Sequence, residues 1–483
     1  MAYMHGTYGE FDKTINTIPV KSGTIPVYIG TAPVNLIRKY SGKGIVNQPV
    51  KISNLAEAYE KIGYSSDWNS FTLCEAIKAH FDNPIENAGP VVFINVLDPE
   101  SHVASQQKTV SLTFAKGKAK IKSDKIILDT FAIADKLEGT DYTLEYDFEA
   151  GETIIKSSTL SAATASYKEV TPDAVDKDDI IGTSSDEGDC TGLGAVKLVY
   201  QELGLITNII AAPGFSSTKE VYEAMISTAS KINGHWDAMV IADLDATTTT
   251  SINNAIEWKK DNDYAEEVSK VCWPMWKTTA GDIYHISTLT AWLMLVVDTQ
   301  NDSVPMETPS NKQIPPGKQY FGEDSTNKGF DQATANKLNA AGITTAVYWG
   351  GSNVLWGPHT AAYEYGTDID KRAIFDNSIR MMMHISNKFQ EEWGLTIDKP
   401  MTKAMAETIR NREQEKVDAL KAKGALIGEP VVEFVETDNP TEELVEGNFT
   451  WRNRLTPTPP FKSGKMKIAY TTEGFETEYG GEE

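Results

Sequence analysis

The sequence predicts an α/β fold: a mixed, mostly parallel sheet core flanked by helices, with a small β domain inserted and extended arms at both ends. Three observations carry this. Short β-branched and aromatic runs alternate with amphipathic helical stretches, which argues for a parallel sheet covered on both faces. Residues 90–97, PVVFINVL, form a continuous apolar run with no alternation, as expected of a strand buried on both faces. Residues 109–179 change character to short alternating segments between Lys-Gly, Ser-Asp and Glu-Gly-Thr-Asp turns, the pattern of a separate β unit.

The elements follow in order. Residues 1–21 are polar, Thr-rich and punctuated by glycine, with Tyr3, Tyr8, Phe11 and Ile15 spread through them. Strands are expected over 23–31 and 49–53, then a helix over 54–62 capped by Ser53 or Asn54. A helix over 71–81 precedes the buried strand 90–97. Within the inserted unit, β segments fall near 110–114, 118–122, 125–128 and 142–146, and the Ser/Thr/Ala patch 157–166 with the acidic run 173–189 reads as an exposed exit linker. The α/β pattern then resumes: helix 195–203, strand 207–212, a capping box at Ser217 and Glu220 opening a helix to 232, strand 238–242, helix 251–260, strand 271–275 and a buried helix 283–297. Residues 299–328 are rich in Pro, Gly and Asn, a functional or mobile loop. A helix over 333–341 stops at Gly342, strand 343–349 turns back at Gly350-Gly351 into 354–356, and a helix follows with Phe375, Ile379, Met382, Phe389 and Trp393 at steps of three and four. Helix 402–423, strands 431–436 and 448–454, a strand-like segment 465–471 and an acidic tail complete the chain.

Composition narrows the function classes. The 483 residues are 40% hydrophobic and 23% charged, ordinary for a globular chain, and long enough for several domains. A formal net charge of -23 argues against nucleic-acid binding, whose footprint is a basic face. Cys74, Cys190 and Cys272 are too few and too scattered for a disulfide framework or a zinc site. The N-terminal text lacks a basic segment followed by an apolar run, so no signal peptide is expected. The most apolar window, 283–297, holds His285 and falls short of the ~20 residues that span a bilayer, so no membrane segment is expected.

Candidate chemistry is sparse. Asp243 and Asp245, followed by Thr247, end an apolar strand where α/β sheets place active sites, and match the Asp-x-Asp-x-Thr pattern of Mg²⁺-dependent haloacid-dehalogenase-type phosphatases. The later parts of that pattern have no match, and a strand end with a helix cap explains the same residues. Gly192-Leu-Gly194 lacks a third glycine and a preceding strand. His285, His359 and His384 are isolated in sequence, and Met381-Met382-Met383 reads as helix core. No catalytic residue, metal site or cofactor is assigned. The helix 402–423 carries Lys403, Arg410, Arg412, Lys416, Lys421 and Lys423 against Glu407, Glu413, Glu415 and Asp418, a locally basic element in an acidic chain.

Two stretches resemble contractile phage tail sheath proteins. In the C-terminal half the matching residues are Leu338-Asn339, Gly342-Ile343, Leu355-Trp356-Gly357, Thr360 and 424–428, GALIG; Pro358-His359 stand where the family has Ala-Arg. In the N-terminal half they are "VYIGTA", "PVKISNLAEAYEKIGY" and "VLDP", between 23 and 99. The resemblance implies a structural, non-enzymatic sheath subunit that stacks as hexameric rings around a tail tube and contracts to drive the tube through a host envelope, with the tube protein, baseplate and tail terminator as partners. It implies a virion tail or phage-tail-like particle, assembled in the host cytoplasm. It implies a tube-facing helix, placed here at Lys403, Arg410, Arg412 and Lys416. It also implies subunit-linking arms, placed at Tyr3, Tyr8, Phe11 and Ile15 and at Met466, Ile468 and Tyr470. The expected division is arm 1–22, core 23–108, inserted β domain 109–180, core 181–330, C-terminal domain 331–464 and arm 465–483. The competing readings are the phosphatase at Asp243 and Asp245 and another baseplate or tail component.

Overall fold

A computed structural model of the chain describes residues 23–40, 44–185, 188–321 and 329–480. Its spine is an eight-stranded sheet. Strands β1 (Pro26–Gly30), β2 (Pro49–Ile52) and β3 (Val91–Asn95) come first. Then come β4 (Ile209–Ala211), β5 (Met239–Asp243), β6 (Ser269–Cys272), β7 (Ile343–Trp349) and β8 (Ser352–Trp356). The spatial order is β8-β7-β6-β5-β4-β1-β3-β2. The inner pairings are parallel, and only the outermost strands, β8 on β7 and β2 on β3, are antiparallel. Every residue of β1, β3, β4, β5 and β6 is buried, which explains the mostly apolar text of β1, β3, β4 and β5.

Helices supply that cover. The helix α1 (Leu73–Phe81) packs on α4 (Ile286–Gln300), which crosses β1, β4 and β5. The helix α2 (Lys219–Ala229) also packs on β4 and β5. From Ile286 to Asp298 every residue of α4 is buried, so the most apolar window of the sequence is a core helix surrounded by protein. Among the described residues no helix is long and apolar enough to cross a membrane. The helices α3 (Ile252–Asp261) and α5 (Gln332–Ala340) complete the α/β body, with Ser251 and Asp331 capping their first turns.

A second core sits apart. Lys108–Thr113, Ala162–Tyr167 and Ala132–Ile133 form one three-stranded sheet, and Lys118–Ile121, Glu152–Lys156 and Thr143–Asp147 another. Between them lie Leu112, Leu128, Phe131, Ile155 and Tyr167. Asn35 Nδ2 fastens this unit to the body, donating to the carbonyls of Asp124 and Ile126 at 2.9 Å. Tyr59 stacks on Phe148 with centroids 5.1 Å apart.

Several expectations are corrected here. The patch 157–166 is no linker: Ala162–Tyr167 pairs along its whole length with Lys108–Thr113, turning Ala165 and Tyr167 inward. Its small residues hide the strand signal, and its partner is remote in sequence. The acidic run holds a short helix, Lys177–Ile181, with a capping box of Asp176 and Asp179. The box expected at Ser217 is absent, because α2 starts after Thr218 and Glu220 bonds Lys177 at 2.5 Å. The expected strand 271–275 is two strands: β6 ends at Cys272, and Met275–Thr278 joins a small antiparallel sheet with Ile283–Tyr284 and Gly317–Tyr320. That sheet also delays the start of α4 to Ile286. The loop 299–328 is packed over most of its described length. Its Asn311 and Ile314 N–H groups donate to the carbonyls of Leu355 and Asn353 at 2.6 and 2.9 Å, and so cover the free edge of β8; residues 322–328 lie outside the described residues.

The C-terminal part is built on α6 (Asp376–Trp393) and α7 (Lys403–Ala422), with a hairpin of β9 (Leu426–Glu433) and β10 (Arg452–Pro457). Met381, Val417, Leu426 and Val432 form its own small core. The other face of α6 is polar and buried. Lys270 Nζ, fully buried on β6, donates to Asp376 Oδ2 at 2.6 Å and to the carbonyls of Gly357 and His359 at 2.7 and 3.2 Å. Arg380 forms an ion pair with buried Asp298, which also accepts from Thr24 Oγ1 at 2.5 Å. Asn387 exchanges two hydrogen bonds with the Asp237 backbone at 3.1 and 2.8 Å. Asp376→Ala strands a buried ammonium and is expected to cost about 3–5 kcal/mol in denaturant unfolding; a loss under about 1 kcal/mol would show that water reaches Lys270.

Candidate assembly surfaces

The residues with the best claim to chemistry are occupied internally. Asp243 ends β5 and is buried. Its carboxylate accepts from Ser287 N at 3.0 Å, from Ser287 Oγ and from Ser216 Oγ at 3.4 Å. It thus caps the first turn of α4, and burial pushes its carboxyl up. Asp245 accepts from the backbone and hydroxyl groups of Thr247 and Thr248 at 2.5 to 3.3 Å. Those bonds outweigh its partial burial and hold its carboxyl low. Both side chains therefore serve the turn between strand and helix. Among the described residues no three His, Cys, Asp or Glu side chains are grouped to hold a metal ion.

The histidines singled out above are packed inside the chain, His285 with a partner remote in sequence. Glu75, almost fully buried on α1, accepts from His285 N at 2.6 Å and from His285 Nδ1 at 2.7 Å. Burial works against the charge on His285, but Glu75 raises it to about 9. Burial instead lowers His80, His359 and His384 to about 4. His80 Nε2 bonds the Tyr28 hydroxyl at 2.9 Å, and His359 stacks on Tyr363 at 3.6 Å.

The exposed features lie at the C-terminal end. On α7, Ala406, Ile409, Glu413 and Val417 face inward, and Trp393 Nε1 bonds buried Glu413 at 2.7 Å. Of the basic residues singled out there, Arg412 and Lys416 both reach Glu392 of α6, Arg412 at 3.7 Å. Both also lie over the Trp393 ring, at 5.9 and 6.0 Å. Arg410 bonds Asn411 at 2.5 Å, and Lys403 is exposed at the first turn. The structure therefore brings Arg412 and Lys416 together with acidic partners and keeps Lys403 apart. Beyond β10 the chain runs with neither helix nor strand until Glu473–Tyr479. The segment 465–471 takes no strand partner among the described residues, and Met466, Ile468 and Tyr470 are 83, 86 and 80% exposed. Such alternating apolar side chains on unpaired backbone form half of a strand pair. Tyr3, Tyr8, Phe11 and Ile15 lie outside the described residues.

An α/β body whose strand-end carboxylates are bonded internally, a two-stranded hairpin and an exposed tail suit an assembly subunit. No family model matches the chain. The chain is 27% identical over 500 residues to the tail sheath protein of Burkholderia phage BcepMu, covering 99% of each. It is 25% identical over 305 residues to the tail sheath protein of Escherichia phage P2, covering 60% of this chain and 70% of that one. A chain of the sheath complex of an extracellular contractile injection system, PVC, in its contracted state shares the fold, with a TM-score of 0.55 at 12% identity over 98% of this chain and all of the other. The chain is a homologue of phage tail sheath proteins, and it is a structural sheath subunit.

The histidines give a pH prediction. As pH falls below about 6.5 the unfolded chain binds protons that His80, His359 and His384 refuse until about 4, so the stability they confer at neutral pH is lost across that window. His285 behaves oppositely: its contribution is complete below 6.5 and is lost as pH rises through about 9. A thermal midpoint that falls on both sides of this plateau is expected. A midpoint flat from pH 7 to 4.5 would contradict the buried neutral imidazoles.

Proposed function

We propose that this subunit polymerises as stacked hexameric rings around a tail tube, in an extended and metastable sleeve, and contracts to drive the tube through a host cell envelope. The observation that carries this is similarity along the whole chain, 99% of it, to a phage tail sheath protein. Baseplate, tail terminator and tube protein are its partners in this reading. Its place is the virion tail or a phage-tail-like particle, assembled in the host cytoplasm. The division is that of the sequence: arm 1–22, core 23–108 and 181–330, inserted domain 109–180 facing outward, C-terminal domain 331–464, and arm 465–483.

Two physical features support the reading. In the hairpin β9–β10 the side chain of Gln414 covers the outer edge of β9, the outer edge of β10 takes no strand partner among the described residues, and the exposed tail at Met466, Ile468 and Tyr470 offers main-chain groups and alternate apolar side chains to such an edge on another copy. The N-terminal arm with Tyr3, Tyr8, Phe11 and Ile15 would do likewise. Main-chain pairing through arms keeps copies linked while their bodies rotate as rigid units. The basic helix α7 would meet an acidic tube surface. Because Glu392 already draws on Arg412 and Lys416, Lys403 and Arg410 carry most of the available charge. Such docking is screened by salt and therefore reversible.

Deleting residues 459–483 is expected to leave a folded monomer with an unchanged unfolding transition and to abolish sleeves in electron micrographs. Normal sleeves from the truncated chain would refute the linking role of the tail. Reversing charge at Lys403 and Arg410 to Glu is expected to weaken co-sedimentation with the tube protein about tenfold at low salt, with little difference left near 1 M, where the screening length is ~3 Å. Equal binding of variant and parent at low salt would remove α7 from the tube interface.

A further inference from the structure

Lys259 is the buried ionisable group that neither the fold's seams nor the assembly surfaces use. It lies near the end of α3, only 7% exposed. Among the described residues its ammonium has one hydrogen-bond partner, the carbonyl of Ala361, at 2.7 Å. The nearby carboxylate of Glu364 bonds the neighbouring Lys260 instead, also at 2.7 Å. An ammonium carries three donors, so two of them find no acceptor among the described residues. Burial lowers this amine to about 8, with Glu364 opposing.

Lys259 lines a cavity of about 240 Å³ between α3 and the loop after β8. Ile256, Ala341 and Ala362 give the cavity an apolar floor. Lys260, Asp263 and Glu364, with side chains 57, 81 and 47% exposed, form its rim, so the cavity meets the surface.

We propose that Lys259 is an acylation site, taking a short aliphatic acyl group such as acetyl from an activated donor, an acyl phosphate or acyl thioester. The geometry suits the product better than the parent amine. An amide keeps one N–H, which matches the single acceptor Ala361 O, and loses the two donors that have none. The acyl methyl group enters the apolar floor of the cavity. In the reaction the neutral amine attacks the acyl carbonyl carbon. A C–N bond forms, the C–O or C–S bond breaks, the phosphate or thiolate leaves with the bonding pair, and the surplus proton on nitrogen passes to solvent. No oxidant or reductant is needed.

The test is treatment of the full-length protein with acetyl phosphate at pH 7.5, with site occupancy followed by peptide mass spectrometry. Lys259 is expected to be modified about tenfold faster than the mean of the exposed lysines, because a much larger share of it is free base at that pH. Its rate should level off near pH 8, while those of exposed lysines keep rising. Lys260, on the same cavity but bonded to Glu364, is the internal control. The acetylated protein should keep its thermal midpoint, since the bond to Ala361 survives. Modification of Lys260 and the exposed lysines ahead of Lys259, or an unreactive Lys259, would overturn the proposal. So would a Lys259 rate that rises with pH in step with the exposed lysines, which would mark it as a strut beside a packing gap.

Discussion

A charge buried away from water must have its counter-charge in place, and this chain puts that requirement at one joint. Lys270 meets Asp376, and Arg380 meets Asp298, with every one of these side chains at or below 5% exposure. Both pairs join α6 to the α/β body, and Thr24 ties the foot of β1 into the second pair. Apolar surfaces can slide against each other at small cost, whereas a desolvated ion pair has one geometry and a penalty of several kcal/mol for leaving it. The joint therefore fixes where α6, and with it α7 and the hairpin, stand relative to the sheet. Its opposite face holds Met381 against Val417 and Leu426, so α6 is a wall shared by two cores. A subunit that transmits force through its C-terminal hairpin gains from a seat of this kind.

The same logic accounts for the polar groups at the strand ends of the α/β body. Asp243 sits where such folds place nucleophiles, yet its oxygens are closed by Ser216 and Ser287. Asp245 is closed by its own turn. His285 is held by Glu75. Each group that might have faced a substrate instead pins a strand end to a helix start. The polar capacity left over lies outside: an acidic surface, a partly neutralised basic helix and a bare tail.

Much of this fold was legible in the sequence, and the limits of that legibility are physical. Ile343–Trp349 is the strand its β-branched and aromatic residues predict, ending at the glycine turn. Val91–Asn95 is buried on both faces, as its unbroken apolar run predicts. Asn54 and Thr402 cap their helices through Glu57 N and Met405 N. Local chemistry decides these elements. What was missed depends on partners remote in the chain. Ala162–Tyr167 looks like a linker until Lys108–Thr113 lies beside it. The loop after α4 looks loose until β8 offers its edge. Nothing local marks Lys270 as buried, and only the fold brings Asp376 to it. For the assembly surfaces, helix and tail were visible as a basic stretch and an alternating one. That Glu392 would draw on Arg412 and Lys416 was not visible, because it sits on the facing helix.

As a sheath subunit, this chain is expected to build a sleeve. Electron microscopy of the purified full-length protein, alone and mixed with its tube protein, tests it most directly. Hollow sleeves or stacked six-fold rings are predicted, with a narrower diameter around the tube than without it. Uniform monomers under both conditions would contradict the account.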